Sequence, residues 1–195
     1  MSTATVPEVY RESFRFRPEP AKPKTFFENM WQVLFCVLSF VSFVLTLVAT
    51  PIDVYRDRGS SACVTMWGSR RTCGTNEYTP TDWGCADREN HIDAARAFSI
   101  LSIILTFGSF VLGALLIARL FVYKRIIPAV ISLGATMTLV LTWGCLAGVY
   151  HQKLCDDDPL SGVALRETHT YGVGFGLFVA AFCVQLITTV VELFI

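Results

Sequence analysis

The sequence has 195 residues, 53% of them apolar, and so greasy and uneven a composition excludes an ordinary soluble domain; it reads as one membrane domain. Sixteen basic residues balance sixteen acidic ones, and no basic block or base-stacking motif occurs, which removes nucleic acid as a partner. There is no GxSxG, no HExxH and no phosphate-cradling glycine loop, so no enzyme and no cofactor are expected.

Residues 1–29 carry Pro7, Pro18, Pro20 and Pro23 among mixed charges. Such a stretch buries too little apolar area to offset backbone entropy, and a disordered cytoplasmic tail is expected. Phe14-Arg15-Phe16-Arg17 alternates apolar and basic residues, a pattern able to lie on an anionic membrane surface, although a solvated tail is the simpler reading. The tail is hydrophilic through Glu28, so no cleavable signal is expected and the first apolar segment is expected to serve as its own insertion signal. Neither end shows a lipidation motif.

The membrane domain is expected over residues 30–195. A first span over 30–50 has Gln32 as its one strongly polar interior residue and stops at Pro51; its length suits a bilayer, which needs about 20 residues. A polar loop, 51–96, follows. The second span, 97–119, ends at Arg119, whose side chain can snorkel to the interface. A short basic turn with Lys124 and Arg125 leads to the third span, 126–150, where Pro128 sits in the first turn and its missing amide is tolerated. A second loop, 151–170, precedes the fourth span, 171–194. Four crossings place both termini on one side.

Charge decides poorly which side that is. The tail and short turn hold eight Lys or Arg and the two longer loops hold eight, although the unaccompanied basic residues of the tight turn favour the cytoplasm. Cysteine placement decides better: Cys63, Cys73, Cys85 and Cys155 all fall in the two longer loops, as expected if only those loops meet an oxidising compartment. Termini inside and loops outside is therefore the expected topology, in the plasma membrane.

Four loop cysteines allow three pairings. Cys63 and Cys73 flank Trp67-Gly68, where the chain can double back, and their pairing is preferred; it contributes about 3 kcal/mol in the chain-entropy model. Cys85 and Cys155 would then staple the first loop to the second. The rival reading, a zinc site of these cysteines with His91, His151 or His169, lacks the close ligand spacing of structural zinc, so no metal is expected. Cys36, Cys145 and Cys183 lie in apolar spans as small hydrophobes.

The run from Cys63 to Cys73, CVTMWGSRRTC, resembles the signature of the amastins, four-helix surface proteins of trypanosomatid parasites. Cys63, Val64, Thr65, Trp67, Gly68, Arg70, Thr72 and Cys73 fit that pattern, and Met66 departs from it slightly. Thr50-Pro51-Ile52-Asp53 is also similar to the family, and four apolar segments in family order extend the likeness over all but the first thirty residues or so. The resemblance implies a surface protein with a structural or interaction role in membrane organisation and host contact. It also implies a distant likeness to claudins, whose first outer loop forms a small disulfide-tied sheet. The fold expected is thus all-α, a four-helix transmembrane bundle under a small disulfide-tied β cap from residues 62–75. A strand near Val163 to Thr168 is expected to join it.

Trp67 suits packing of the hairpin onto the outer helix ends at the membrane interface, or anchoring a partner. Arg70 and Arg71 suit either solvated surface charges or contact with an acidic partner or lipid head group. Gly144 and Gly148 in the third span and Gly172 and Gly176 in the fourth form small-residue repeats at matching depth, where antiparallel helices can approach closely or meet another subunit. The partners implied are the lipid bilayer, a second copy of the chain, or a host surface. A transporter or channel for ions or small solutes is the alternative function. Against it, Gln32, Arg119, Gln185 and Glu192 all fall toward the cytoplasmic helix ends and leave the span centres without the ionisable groups that transport keeps there. No Asn-x-Ser or Asn-x-Thr occurs, since Asn29, Asn76 and Asn90 precede Trp31, Tyr78 and Ile92 by two, which excludes N-linked sugar.

Overall fold

The computed structural model describes residues 26–75, 77–81, 83, 85–118, 126–155 and 164–194. The tail before residue 26, with Phe14 to Arg17, and Arg119, Lys124, Arg125 and Val163 lie outside the described residues. Four long helices dominate: α1 (Phe26–Ala49), α2 (Ala86–Ile117), α3 (Ile126–His151) and α4 (Val173–Glu192). All four are long and apolar enough to cross a membrane. Each packs on its neighbour in chain order, and α4 closes back onto α1, giving a four-helix membrane bundle.

Sequence patterning sets which faces meet. Large apolar side chains such as Val37, Phe40, Ile104, Val130, Met137 and Ile187 are exposed, whereas Ser39, Ser42, Thr46, Ser99, Ser102, Thr106, Ser109, Ser132 and Thr142 are buried. This inversion belongs to a lipid-solvated bundle, where association comes from close packing and hydrogen bonds rather than from hiding apolar surface. Most buried hydroxyls are satisfied by the carbonyl one turn earlier in their own helix: Thr46 on Ser42 at 2.8 Å, Thr106 on Ser102 at 2.7 Å and Thr188 on Val184 at 2.8 Å. Such bonding satisfies these hydroxyls within their own helix, as a hydrocarbon surrounding requires. Between helices, Ser39 and Ser109 hydroxyls meet at 3.3 Å and Ser42 donates to the Ala181 carbonyl at 3.3 Å.

Helix bounds differ from expectation in two instructive places. α2 begins at Ala86 rather than at 97, because the polar run after Cys85 is an amphipathic helix: Arg88, Ile92, Ala95 and Ser99 recur on one buried face. Asp87 and Glu89 in its first turn favour the helix start electrostatically. These first eleven residues carry α2 roughly 16 Å beyond its apolar part and make it a wall of the cap. α4 begins at Val173 because Tyr171 belongs to a strand.

The cap is a four-stranded antiparallel sheet in the order β3-β2-β1-β4, from β1 (Tyr55–Asp57), β2 (Cys63–Val64), β3 (Ser69–Arg70) and β4 (His169–Tyr171). The second loop does supply a strand, but not at 164–168. Leu165–Thr168 form one helical turn, with the Glu167 amide on the Ala164 carbonyl at 3.0 Å. Pairing starts only at His169, opposite Asp57, with Tyr171 opposite Tyr55. Tyr55 is the centre of the joint between sheet and bundle: it is 1% exposed, and its hydroxyl donates to the Leu146 carbonyl of α3 at 2.6 Å. Tyr150 and Tyr171 stack at 3.9 Å beside it, and Tyr171 stacks on Phe175 at 4.0 Å.

Candidate functional site

Cys63 and Cys73 are bonded, with alpha carbons 5.3 Å apart, and Cys85 and Cys155 are bonded at 5.8 Å, both ordinary spans for a disulfide. The thiolates that a zinc site needs are thereby consumed, and no group of three or more His, Cys, Asp or Glu among the described residues could hold a metal. The first bridge ties β2 to the segment after β3, where the Cys73 amide also donates to the Ser61 carbonyl at 3.0 Å. The second joins the residue that precedes α2 to the stretch after α3, so both loops are fixed to one another above the bundle.

Each signature side chain has a local task. Thr65 organises the turn: its hydroxyl donates to the Gly68 carbonyl at 2.8 Å and accepts from the Trp67 and Gly68 amides at 3.2 and 3.1 Å. A β-branched hydroxyl residue does this where Val could not. Gly68 is required by proximity, since an added Cβ would lie 2.7 Å from the Thr79 carbonyl oxygen, across the β-bridge that Ser69 makes to Thr79. Val64 packs on the buried core and Met66 is 1% exposed, so an apolar residue at the variant position is all that packing demands. The Met66 carbonyl accepts from Arg96 Nε at 2.5 Å. Thr72 is exposed, and its carbonyl accepts from the Thr75 hydroxyl at 2.9 Å.

Trp67 and Arg70 both reach back to the end of α1. The Trp67 indole N–H donates to the Thr50 carbonyl at 3.2 Å while the ring stays 44% exposed. Arg70 donates to the Pro51 carbonyl at 3.3 Å, sits over the Tyr78 ring at 4.2 Å and also donates to the Tyr78 hydroxyl. The two arginines therefore do not form a matched surface pair: Arg70 is half-buried and engaged, and Arg71 is exposed.

The four repeat glycines lie in different surroundings. Gly144 and Gly176 are exposed, with nothing within 4 Å of an added Cβ, and Gly148 meets only the His91 ring at 3.8 Å. The spacing fits a packing motif, but Gly144 and Gly176 lie off the buried faces of their helices, which carry Ala135 and Leu139 in α3 and Phe178, Ala181 and Gln185 in α4. Gly172 does sit in a close contact, against the backbone of Asp53 rather than another span. Gly174, two residues on, is its true companion: a Cβ there would lie 2.9 Å from the Ile52 and Asp53 carbonyl oxygens. The Gly174 amide donates to the Asp53 carbonyl at 2.8 Å and Gly172 to Val54 at 2.7 Å. Thr50-Pro51-Ile52-Asp53 is thus the seat of the α4 N-terminus, held by the Asp53–Arg56 ion pair at 2.8 Å. Gly113, also unforeseen, lets α2 approach the Cys36 alpha carbon, 3.1 Å from a Cβ built there.

Other groups escaped the sequence reading. Arg88 is 8% exposed under the sheet and donates to the Trp83 carbonyl at 3.4 Å; burial lowers its pKa. Burial likewise pushes the Tyr55 phenol up. Desolvation holds His169 below the usual imidazole range, against the pull of Asp57 across the strands and with the help of Arg88. Asp57 is held low by the Ser60 hydroxyl and the Gly59 amide. A histidine depressed on folding contributes its stability above the unfolded pKa, about 6.5, and loses it as pH falls toward the folded value. Asp57 loses its contribution only below the ordinary carboxylate range. Cap stability, followed by amide exchange of β1 and β4, is therefore expected to fall as pH drops below about 6.5, and His169→Gln to remove that phase. An unchanged pH profile in the variant would show that His169 does not govern it.

A family model described as amastin surface glycoprotein matches residues 40–191. Comparison with curated proteins gave no match.

Proposed function

The chain belongs to the amastin surface glycoprotein family, and from that premise we propose that it is a non-enzymatic, multi-pass plasma-membrane protein whose outer cap makes its contacts. Those contacts organise the membrane or meet a host or neighbouring surface. The observation that carries this reading is the fixing of both loops into one platform, with four strands from two loops, two disulfides, and a seat at the end of α1 that receives α4. A rigid platform loses little conformational freedom when a partner docks, which favours a contact role. Placing the disulfides outside leaves both termini in the cytoplasm. The open glycine faces of α3 and α4 suit a second copy of the chain in the bilayer.

The test is a pair of measurements on reconstituted and cell-surface protein. Liposomes bearing the wild type are assayed for proton, ion and small-solute flux, and Cys63→Ser/Cys73→Ser is assayed for surface contact and membrane integrity. No flux together with loss of contact or integrity in the variant supports the reading. Robust flux that survives loss of the cap replaces it with a transporter.

A further inference from the structure

At the end of the bundle away from the cap, the contact between α3 and α4 encloses a polar cluster that the cap does not use. Gln185, expected near a helix end, lies two turns inside α4 and is fully buried, as is Ser132; Thr136 is 5% exposed. The Gln185 amide donates to the Ser132 hydroxyl at 3.2 Å, and the Thr189 hydroxyl lies 2.9 Å from those of both Ser132 and Thr136. Thr136 also donates to the Ser132 carbonyl, and Thr189 to the Gln185 carbonyl, each at 3.0 Å. A hydroxyl has one proton, so these contacts use the three hydroxyl protons of Ser132, Thr136 and Thr189.

Three acceptors are left over. The side-chain oxygen of Gln185 and both carboxyl oxygens of Glu192 are buried and accept no hydrogen bond of ordinary geometry among the described residues, the Ser132 hydroxyl being a donor close to the Glu192 carboxyl. Glu192 is one heptad beyond Gln185, on the same face of α4, and Ser132 lies beside its carboxyl. Buried acceptors left unmatched are costly, and more so for a charge within a membrane.

We propose that this cluster binds a hard monovalent cation through the Glu192 carboxylate, the Gln185 side-chain oxygen and the hydroxyls of Ser132 and Thr189. The donor set is all oxygen, which suits alkali ions and not zinc or copper. Its single formal charge matches one positive charge, whereas a divalent ion would leave a net charge in low dielectric. Binding at one end of the bundle needs no path across it, so the inference is independent of the contact role.

The full chain in lipid nanodiscs is unfolded thermally in sodium, potassium or choline chloride at equal ionic strength. The wild-type Tm rises with one of the alkali ions and saturates, as ligand linkage requires. Glu192→Gln, which keeps the shape, loses that shift without losing stability in choline, and Ser132→Ala weakens it. A wild-type Tm indifferent to the cation overturns the proposal. An undiminished shift in Glu192→Gln overturns it equally, by moving the ion elsewhere.

Discussion

Replacing Cys85 and Cys155 together with serine is expected to cost the protein more stability than any other change to the cap. The bridge closes a separation of 70 residues, for which the chain-entropy model gives about 4 kcal/mol, against about 3 kcal/mol for a bridge as short as Cys63–Cys73. Its two ends are held by helices that already pack together, since Cys85 precedes α2 and Cys155 follows α3. The native state therefore adds little opposing cost. The figure is an upper one, because helices that persist in a micelle-bound unfolded state shorten the effective loop. Denaturant unfolding of both double-serine proteins in the same micelles checks the order, and equal losses would contradict it.

Alanine at Gly174 and at Gly176 is expected to move stability in opposite directions, although the residues are two apart on one helix. At 174 the new methyl meets two backbone carbonyl oxygens at 2.9 Å, and backbone on both sides leaves no flexible group to yield. Overpacking of this kind costs about 1–3 kcal/mol, and here it also pulls the Gly174 amide from its bond to Asp53. At 176 nothing lies within 4 Å, and alanine gains up to about 1 kcal/mol of helix propensity over glycine. Thermal unfolding of the two variants checks the contrast. Destabilisation by Gly176→Ala would restore the helix-packing role that its spacing suggests.

These contrasts show what was legible in the sequence. Four spans could be read because long apolar runs between polar loops have few alternative structures, and the cysteine pairs because bridging suits exposed loops. The cap wall in α2 was readable but overlooked: Arg88, Ile92, Ala95 and Ser99 carry a helical period, and mean polarity hides it. The glycines stayed ambiguous because an i, i+4 spacing marks one face of a helix without saying what that face meets. Gly172 and Gly174 contact an irregular segment distant in sequence, which no periodicity reports. Nor does sequence reveal that Arg88 turns inward, or that Gln185 and Ser132 meet across two helices, since both depend on the tertiary packing of faces.

The claim most exposed to a single measurement is that the disulfide-tied cap lies outside the cell. With Cys36, Cys145 and Cys183 replaced by alanine, intact cells are reduced and treated with a membrane-impermeant maleimide. Cys63 and Cys73 should be labelled only after reduction, and a cysteine introduced by Ser13→Cys only after the membrane is permeabilised. Labelling of the tail on intact cells, with the cap cysteines reached only after permeabilisation, would contradict both the orientation and the contact role built on it.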